Sequence, residues 1–542
     1  MPPPSAPRPF VAPGPGTWIQ DSTHSPRPVT AYHFEAFKDA FPKGFREGTA
    51  RFGLLFDYLH PELVNGFVYY RHVLVDPSNK EEVARRFESA RHALEHKLWL
   101  RELERWDREF MPDSIQRNRA LEAVPMQTLD TEAFIRHLVT VRENASEMVY
   151  RHHIFTAASI MAVGRYVAHA MEWTGWDSGR LLAPLQGSSA VSLGAHEELR
   201  HVGALLKQAG VEPATFGSQS ADQILDALRA REDALGAAVR AYFAVIGMRL
   251  AGGYDVADAC AIELPDLLLG AIWASTGESK RPAGDEAATR VRAAVPAEHR
   301  AAFDELLAEA RQMNRLRDER GIYNDMWGTG IARQSLLECG RRLVATGRLD
   351  RPEHAVDASL DELISMLRGT GGPSREELDE RRDWRLNASL AEVPPFLGPP
   401  PSPPPPLDGL PPHAFEAMRA LGTAMGELFT PPSESEGKTI VGKAVSPGIY
   451  TGRARLVMRP EDMNRLTKGD VLVTSATSPA FNLVLPLVGA IVTDRGGQLS
   501  HAAIVAREYG IPAVVGTGRA TADIAEGALV KVDGTAGKIL LL

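Results

Sequence analysis

The stretch AIVTDRGGQLSHAAIVAREYGIPAVVG, residues 490–516, decides how the rest of the chain is read. Ala490 to Thr493 form an apolar run of strand length, and a turn containing Gly496 and Gly497 follows. Ser500 is a good helix N-cap, so His501 falls in the first turn of a helix through AAIVAREY. Glycines let backbone N–H groups approach a ligand closely, and a helix N-terminus adds orphan donors and a partial positive charge. Such a place suits an anion. A histidine ring set there could carry a phosphoryl group, with Thr493 and Ser500 offering hydroxyl donors to its oxygens. On these residues alone, a plain capping role for His501 stays open.

Around this stretch, after Gly442, short β-branched runs alternate with glycines: GIYTGRARLV, DVLVTSA, GAIVTD, IPAVVG, LVKVDG and KILLL. With one strong helix among them, they predict a small mixed α/β domain over 439–542. Upstream, the prolines gather in three places. The first is MPPPSAPRPFVAPGPG, read as a disordered tail over 1–16. The second is VPPFLGPPPSPPPPLDGLPP, from Val393 to Pro412, and the third is PPSESEGK, from Pro431 to Lys438. The helix HAFEAMRALGTAMGELF lies between the last two, so 393–438 reads as a linker with a short helix. In polyproline II its 20 residues from Val393 to Pro412 span at most about 60 Å.

The pattern over 17–392 is mainly helical. Ser78 and Glu81 form a capping box, followed by Val83, Phe87, Ala90, Leu94 and Leu98 on one face. Phe303, Leu306, Ala310 and Met313 repeat the spacing, and Gly210, Gly340 and Gly347 read as helix stops.

The composition of the 542 residues is ordinary for a globular protein, with 44% hydrophobic and 24% charged residues. The net charge of −9 exerts no pull on nucleic acid, and no dense basic patch with interleaved aromatics occurs. The two cysteines, Cys260 and Cys339, build no disulfide framework, and no zinc spacing is present. No stretch reaches the roughly 18 apolar residues of a membrane span, and the N-terminus lacks a secretory h-region. The expected location is the cytoplasm, without membrane or nucleic-acid partners.

TDRGGQLSHAAIVAREYGIPAVVG closely resembles the phosphohistidine signature of the PEP-utilising, swivelling-domain enzymes. Phosphoenolpyruvate synthase, pyruvate phosphate dikinase and rifampin phosphotransferase are members. The resemblance covers 443–542, from KAVSPGIYTGRARLV onward, and implies that His501 is a phosphocarrier. GPGTWIQDSTHSPRPVTAY (14–32) and LLECGRRLVATGRLDRPEHAVDASLDEL (336–363) resemble the entry and exit of the substrate domain of rifampin phosphotransferase. They also resemble the large subunit of phenylphosphate synthase. The implied fold is multidomain: a mainly α-helical substrate domain, then a small swivelling α/β domain. No ATP-grasp or PEP-binding barrel sequence is recognised, so the resemblance implies that ATP and Mg²⁺ are bound by a partner ATP-grasp subunit.

Other candidates are weaker. HEELRH (His196, Glu197, His201) spaces its histidines five apart, whereas a metal-binding pair on one helix face is four apart. No metal site is expected. His152 and His153 are adjacent and point about 100° apart on a helix, so packing roles are favoured for both. His24, in the loop THSPRP, is a candidate substrate residue and proton acceptor. In RLRDERGIYNDMW (315–327), Arg317 is a candidate for neutralising a phosphoryl group in transit, and Tyr323 for the substrate pocket. Trp173 is a further pocket candidate, although Trp173, Trp176 and Met326 read first as core.

The expected function is that of a dikinase-like phosphotransferase subunit. Through phospho-His501 it would pass a phosphoryl group from ATP to a small phenolic hydroxyl, leaving AMP and phosphate. The alternatives are a rifampin-type antibiotic phosphotransferase and a regulatory phosphohistidine carrier acting on a protein.

Overall fold

From Thr439 onward the strands assemble into one mixed sheet whose centre is parallel and whose margins are antiparallel. The computed structural model describes residues 9–188, 190–251, 253–275, 284–388, 390–428, 439–458, 460–477, 481 and 484–542. The chain divides into two units. Unit 1 comprises Met1–Ala158, Gly253–Asp258 and Arg320–Met418, and unit 2 comprises Ser159–Gly252, Ala259–Glu319 and Arg419–Leu542.

Unit 1 is helical around a small antiparallel sheet that the helical periodicity did not announce. Its strands are β1 (Trp18–Gln20), β2 (Phe56–Val64), β3 (Phe67–Leu74) and β4 (Phe396–Leu397), in the order β2-β3-β1-β4. β2 and β3 form a hairpin over Asn65 and Gly66, both at positive φ (53° and 87°). Asn-Gly is the strongest short hairpin signal, and VNGF displays it openly. Phe67, Tyr69, Trp18 and Leu397 fill the core of this sheet.

The proline-rich stretch begins as structure rather than as free arm. Leu397 pairs with Trp18, Pro395 accepts from Gln20 N at 3.0 Å, and Pro394 accepts from Tyr69 Oη at 2.8 Å. Proline is tolerated there because β4 lies at a sheet edge.

Two local expectations need correction. The helix Lys80–Glu95 is capped by Asn79, whose side chain accepts from Glu82 N, while Ser78 Oγ donates to Asp76. Gly340 stops nothing, since it lies inside the helix Met326–Ala345. The Pro352 carbonyl oxygen would lie 2.1 Å from a Cβ at that position, so the glycine serves close packing. Gly210 and Gly347 do follow helix ends, both at positive φ.

Unit 2 contains the C-terminal sheet. Its strands are β5 (Thr439–Val441), β6 (Lys443–Ser446), β7 (Ile449–Leu456), β8 (Asp470–Thr474), β9 (Val488–Thr493), β10 (Ala513–Val515), β11 (Leu529–Asp533) and β12 (Lys538–Leu541). The order is β5-β12-β11-β7-β8-β9-β10-β6, with β7 to β10 parallel. Alternation along the strands sorts two apolar faces. Val471, Val473, Ala490 and Val492 line one core, with Val530, Val532 and Ile539.

The intervening Leu472 and Ile491 face another core. That second core also takes in Val505 of the helix His501–Tyr509 and residues of the helices Ala221–Ala230, Ala234–Ile246 and Pro265–Ala274, among them Leu228, Val239, Leu268 and Ile272. A strand buried on both faces needs such continuous apolar runs.

The helical stretch Thr131–Thr174 has the length and apolarity of a membrane span, which the sequence reading did not register. Of its apolar window 72% is buried inside the protein, as a core helix requires.

Candidate phosphocarrier site

The loop after β9 and the helix His501–Tyr509 lie at the carboxyl end of the parallel strands, where open α/β sheets place their ligands. Ser500 is in the extended conformation (φ −65°, ψ 157°), and its Oγ accepts from Ala503 N at 3.4 Å, an N-cap that starts the helix at His501. Gly496 has φ +109°, and a Cβ there would come 2.8 Å from Ser500 Oγ. The Gly497 carbonyl accepts from Ser500 N at 3.0 Å and closes the turn.

Arg507 fixes this loop from beneath. Its Nη2 donates to the Gln498 carbonyl at 2.6 Å, and its Nη1 donates to Val445 O at 3.3 Å. Burial, reinforced by the nearby charge of Arg317, lowers its pKa to about 10, against the opposing pull of Glu508. Asp494 anchors the other side by accepting from Thr517 Oγ1 at 3.1 Å and Thr521 N at 3.1 Å. Thr493 is fully buried, and its hydroxyl donates to the Arg495 carbonyl at 2.7 Å within the turn.

His501 Nδ1 lies 3.0 Å from Thr477 Oγ1. Its Nε2 is buried and has no hydrogen-bond partner among the described residues. Burial, together with the positive charge of Arg317 on the helix Arg300–Arg320, lowers the imidazole pKa to about 3. The ring is therefore neutral across the physiological range.

Thr477 escaped the sequence reading because it stands 24 residues before the histidine. A signal for it exists. Thr474 pairs in parallel register with Thr493, so the loops after β8 and β9 emerge at one end of the sheet.

The remaining candidates fall elsewhere. In unit 2, Trp173 stacks between His169 (5.3 Å) and His299 (4.9 Å), an aromatic sandwich in which His501 takes no part. His24 and Tyr323 belong to unit 1. His24 Nδ1 lies 3.1 Å from Asp21 Oδ1, and its side chain is 50% exposed. Tyr323 is half-buried, with its carbonyl accepting from Asn118 Nδ2 at 3.0 Å. In HEELRH, His201 is exposed, while the side chains of His196 and Glu197 lie outside the described residues. Both cysteines are buried thiols outside any disulfide. The segment 431–438, expected as part of the linker, also lies outside the described residues.

Two stretches match known families. Residues 466–537 match the PEP-utilising enzyme mobile domain, and residues 152–329 match the fourth domain of rifampicin phosphotransferase. The uncharacterised phosphotransferase YvkC of Bacillus subtilis is 32% identical over 243 residues, covering 45% of this chain and 27% of its own length. The rifampicin phosphotransferase of Bacillus cereus is 42% identical over 123 residues, 22% of this chain and 14% of its own. An uncharacterised protein of Mycobacterium tuberculosis is 28% identical over 364 residues, 67% of this chain and 38% of its own. The chain thus spans well under half the length of each of these relatives.

Proposed function

Taking as premise that the C-terminal part is a PEP-utilising mobile domain, we propose that the protein is a phosphotransferase whose His501 carries the phosphoryl group in transit. The observation that carries this reading is the buried His501 Nε2 without a partner, in a ring whose Nδ1 is held by Thr477. With Nδ1–H donating to the Thr477 hydroxyl, Nε2 keeps its lone pair and is the nucleophile. Arg317 and the unsatisfied N–H groups of the helix N-terminus would then meet the incoming negative charge.

We further propose that the phosphoryl group comes from ATP held by an ATP-grasp partner and goes to the hydroxyl of a small phenol, releasing AMP and phosphate. The resemblance to phenylphosphate synthase supports this. In this reading Mg²⁺ is held with the nucleotide on that partner. The match of 152–329 to the rifampicin phosphotransferase domain favours a second reading, with a rifamycin as acceptor.

The test is to reconstitute the chain with its ATP-binding partner and follow label from ATP. The wild-type chain should take up an acid-labile label, and His501→Ala should fold, take none and yield no product. Labelled His501→Ala, or product formed without His501, overturns the phosphocarrier reading. AMP release with phenol but not with a rifamycin separates the two acceptors.

A further inference from the structure

Unit 1 contains a cluster of chemistry-bearing side chains of its own. His152, near the end of the helix Thr131–Ile154, places Nδ1 2.9 Å from Asp325 Oδ1. Asp325 closes a five-residue π-turn, Gly321–Asp325, between two α-helices. Such π insertions are uncommon and recur at functional sites. Gly321 leaves the pair uncrowded. A Cβ there would meet His152 Cε1 at 3.7 Å and Asp325 Oδ1 at 3.8 Å, ordinary contact distances.

The pair is nearly buried, with His152 at 16% and Asp325 at 13% side-chain exposure. Burial lifts the Asp325 carboxyl to about 6, against the pull of His153 and Arg320. Burial holds His152 well below the usual histidine value, helped by Arg320 and His24. At neutral pH the pair is therefore a carboxylate accepting from Nδ1–H of a neutral imidazole. That arrangement leaves the His152 Nε2 lone pair as a base, the orientation used wherever a carboxylate sets a histidine's tautomer.

Aromatic and polar side chains surround the pair. His24, whose charge is felt at His152, is itself aligned by the buried Asp21, and Tyr254 lies edge-on to it at 5.8 Å. The Tyr70 phenol faces Asp21; burial and that carboxylate push its pKa well up. His153 stacks on His152 at 4.5 Å and meets Phe41 edge-on at 4.4 Å. Phe37 and Tyr70 extend the aromatic wall beside Phe41.

A separate sign comes from Asn324, next to Asp325 in the π-turn. It is fully buried, and neither its Oδ1 nor its Nδ2 has a hydrogen-bond partner among the described residues. A buried amide left unmatched is costly to the fold, and a polar ligand would recover that cost. Aromatic walls beside a few aligned polar groups suit a flat ring bearing a hydroxyl.

We propose that this cluster binds the hydroxyl-bearing aromatic acceptor and that His152, held by Asp325, takes the hydroxyl proton. The proposal rests on the phosphocarrier reading and names the acceptor side of that reaction. The acceptor oxygen attacks the phosphorus of phospho-His501. The O–P bond forms as the P–Nε2 bond breaks, its electron pair staying on His501. The acceptor's proton passes to His152 Nε2, is stabilised there by Asp325, and leaves to solvent. The sequence reading gave His24 this role and His152 a packing one. The buried carboxylate at 2.9 Å makes His152 the better-oriented base, while His24 remains half exposed.

The test uses two probe acceptors with the reconstituted full chain. Phenol, with a pKa near 10 as for tyrosine, needs a base. 4-Nitrophenol, a far stronger acid, is mostly ionised in mildly alkaline buffer and does not. His152→Gln should slow transfer to phenol by about 10²–10⁴-fold, the ordinary worth of a general base, and transfer to 4-nitrophenol by less than about tenfold. Asp325→Asn, which keeps the shape of the side chain, should show the same contrast at smaller size. Label on His501 should be unaffected in both variants. Equal losses with the two acceptors, or no loss with phenol, overturn the assignment while leaving the phosphocarrier intact. Failure of the wild-type chain to take label overturns the phosphocarrier reading, and this proposal falls with it.

Discussion

His501 stays neutral at a cost that shows in the folding equilibrium. The unfolded chain protonates this histidine as the pH falls through 6.5, whereas the folded chain does so only near 3. The folded state therefore binds fewer protons in that window, so the stability present above pH 6.5 is lost progressively as the pH falls toward 3. Each tenfold drop in proton affinity on folding is worth about 1.4 kcal/mol, so the swing amounts to a few kcal/mol. His501→Gln should flatten the decline of melting temperature between pH 6.5 and 4, measured by calorimetry on both proteins. An equally steep decline in the variant would show that the histidine titrates normally. Thr477 acts on the same ring. Thr477→Val removes a hydrogen bond worth about 1 kcal/mol and the preference for one tautomer, so labelling of His501 should slow roughly fivefold.

At the scale of elements, the turn between β9 and the helix His501–Tyr509 depends on one backbone conformation. Gly496→Ala would place a methyl at φ +109° against Ser500 Oγ, which caps the helix. The strain is on the order of 1–3 kcal/mol, and it falls on the loop that holds His501. The variant should melt earlier and label poorly, a pairing readable by calorimetry and acid-labile phosphate on one sample. Normal labelling would mean the loop tolerates another path.

This turn was legible in the sequence because glycine pair, N-cap and helix start follow one another directly after β9, between Thr493 and His501. The π-turn at Gly321–Asp325 was not, because nothing local in GIYND distinguishes it from continuing helix. His152 and Asp325 meet across 173 residues, a juxtaposition no periodicity encodes. The small sheet of unit 1 lies between these cases. Its Asn-Gly hairpin is plain once sought, but the flanking strands hold His60, Pro61 and Glu62, which blur the alternation.

On the scale of the whole molecule, the sequence suggested one long helical domain and a separate carrier. The structure instead groups part of the helical stretch, 159–252 and 259–319, with the C-terminal sheet domain in unit 2. Apolar spacing marks which helical face is buried but not which partner buries it, so that grouping could not be read from the chain. The boundary between the units falls within the helix Arg300–Arg320, with Glu319 in unit 2 and Arg320 in unit 1.

The core shared by Leu228, Val239 and Leu268 with Leu472, Ile491 and Val505 has a thermal consequence. If the carrier must leave those helices in each catalytic cycle, every departure wets oily surface. Newly wetted oily surface raises the heat capacity. The temperature plot of turnover should then curve upward from a straight Arrhenius line, with an apparent activation enthalpy that rises from cold to warm. Labelling of an already departed carrier would keep a straight line. A histidine that reacted without leaving its helices would show no bend at either step, so a thermostatted rate assay reads the water that the carrier's departure sets in order.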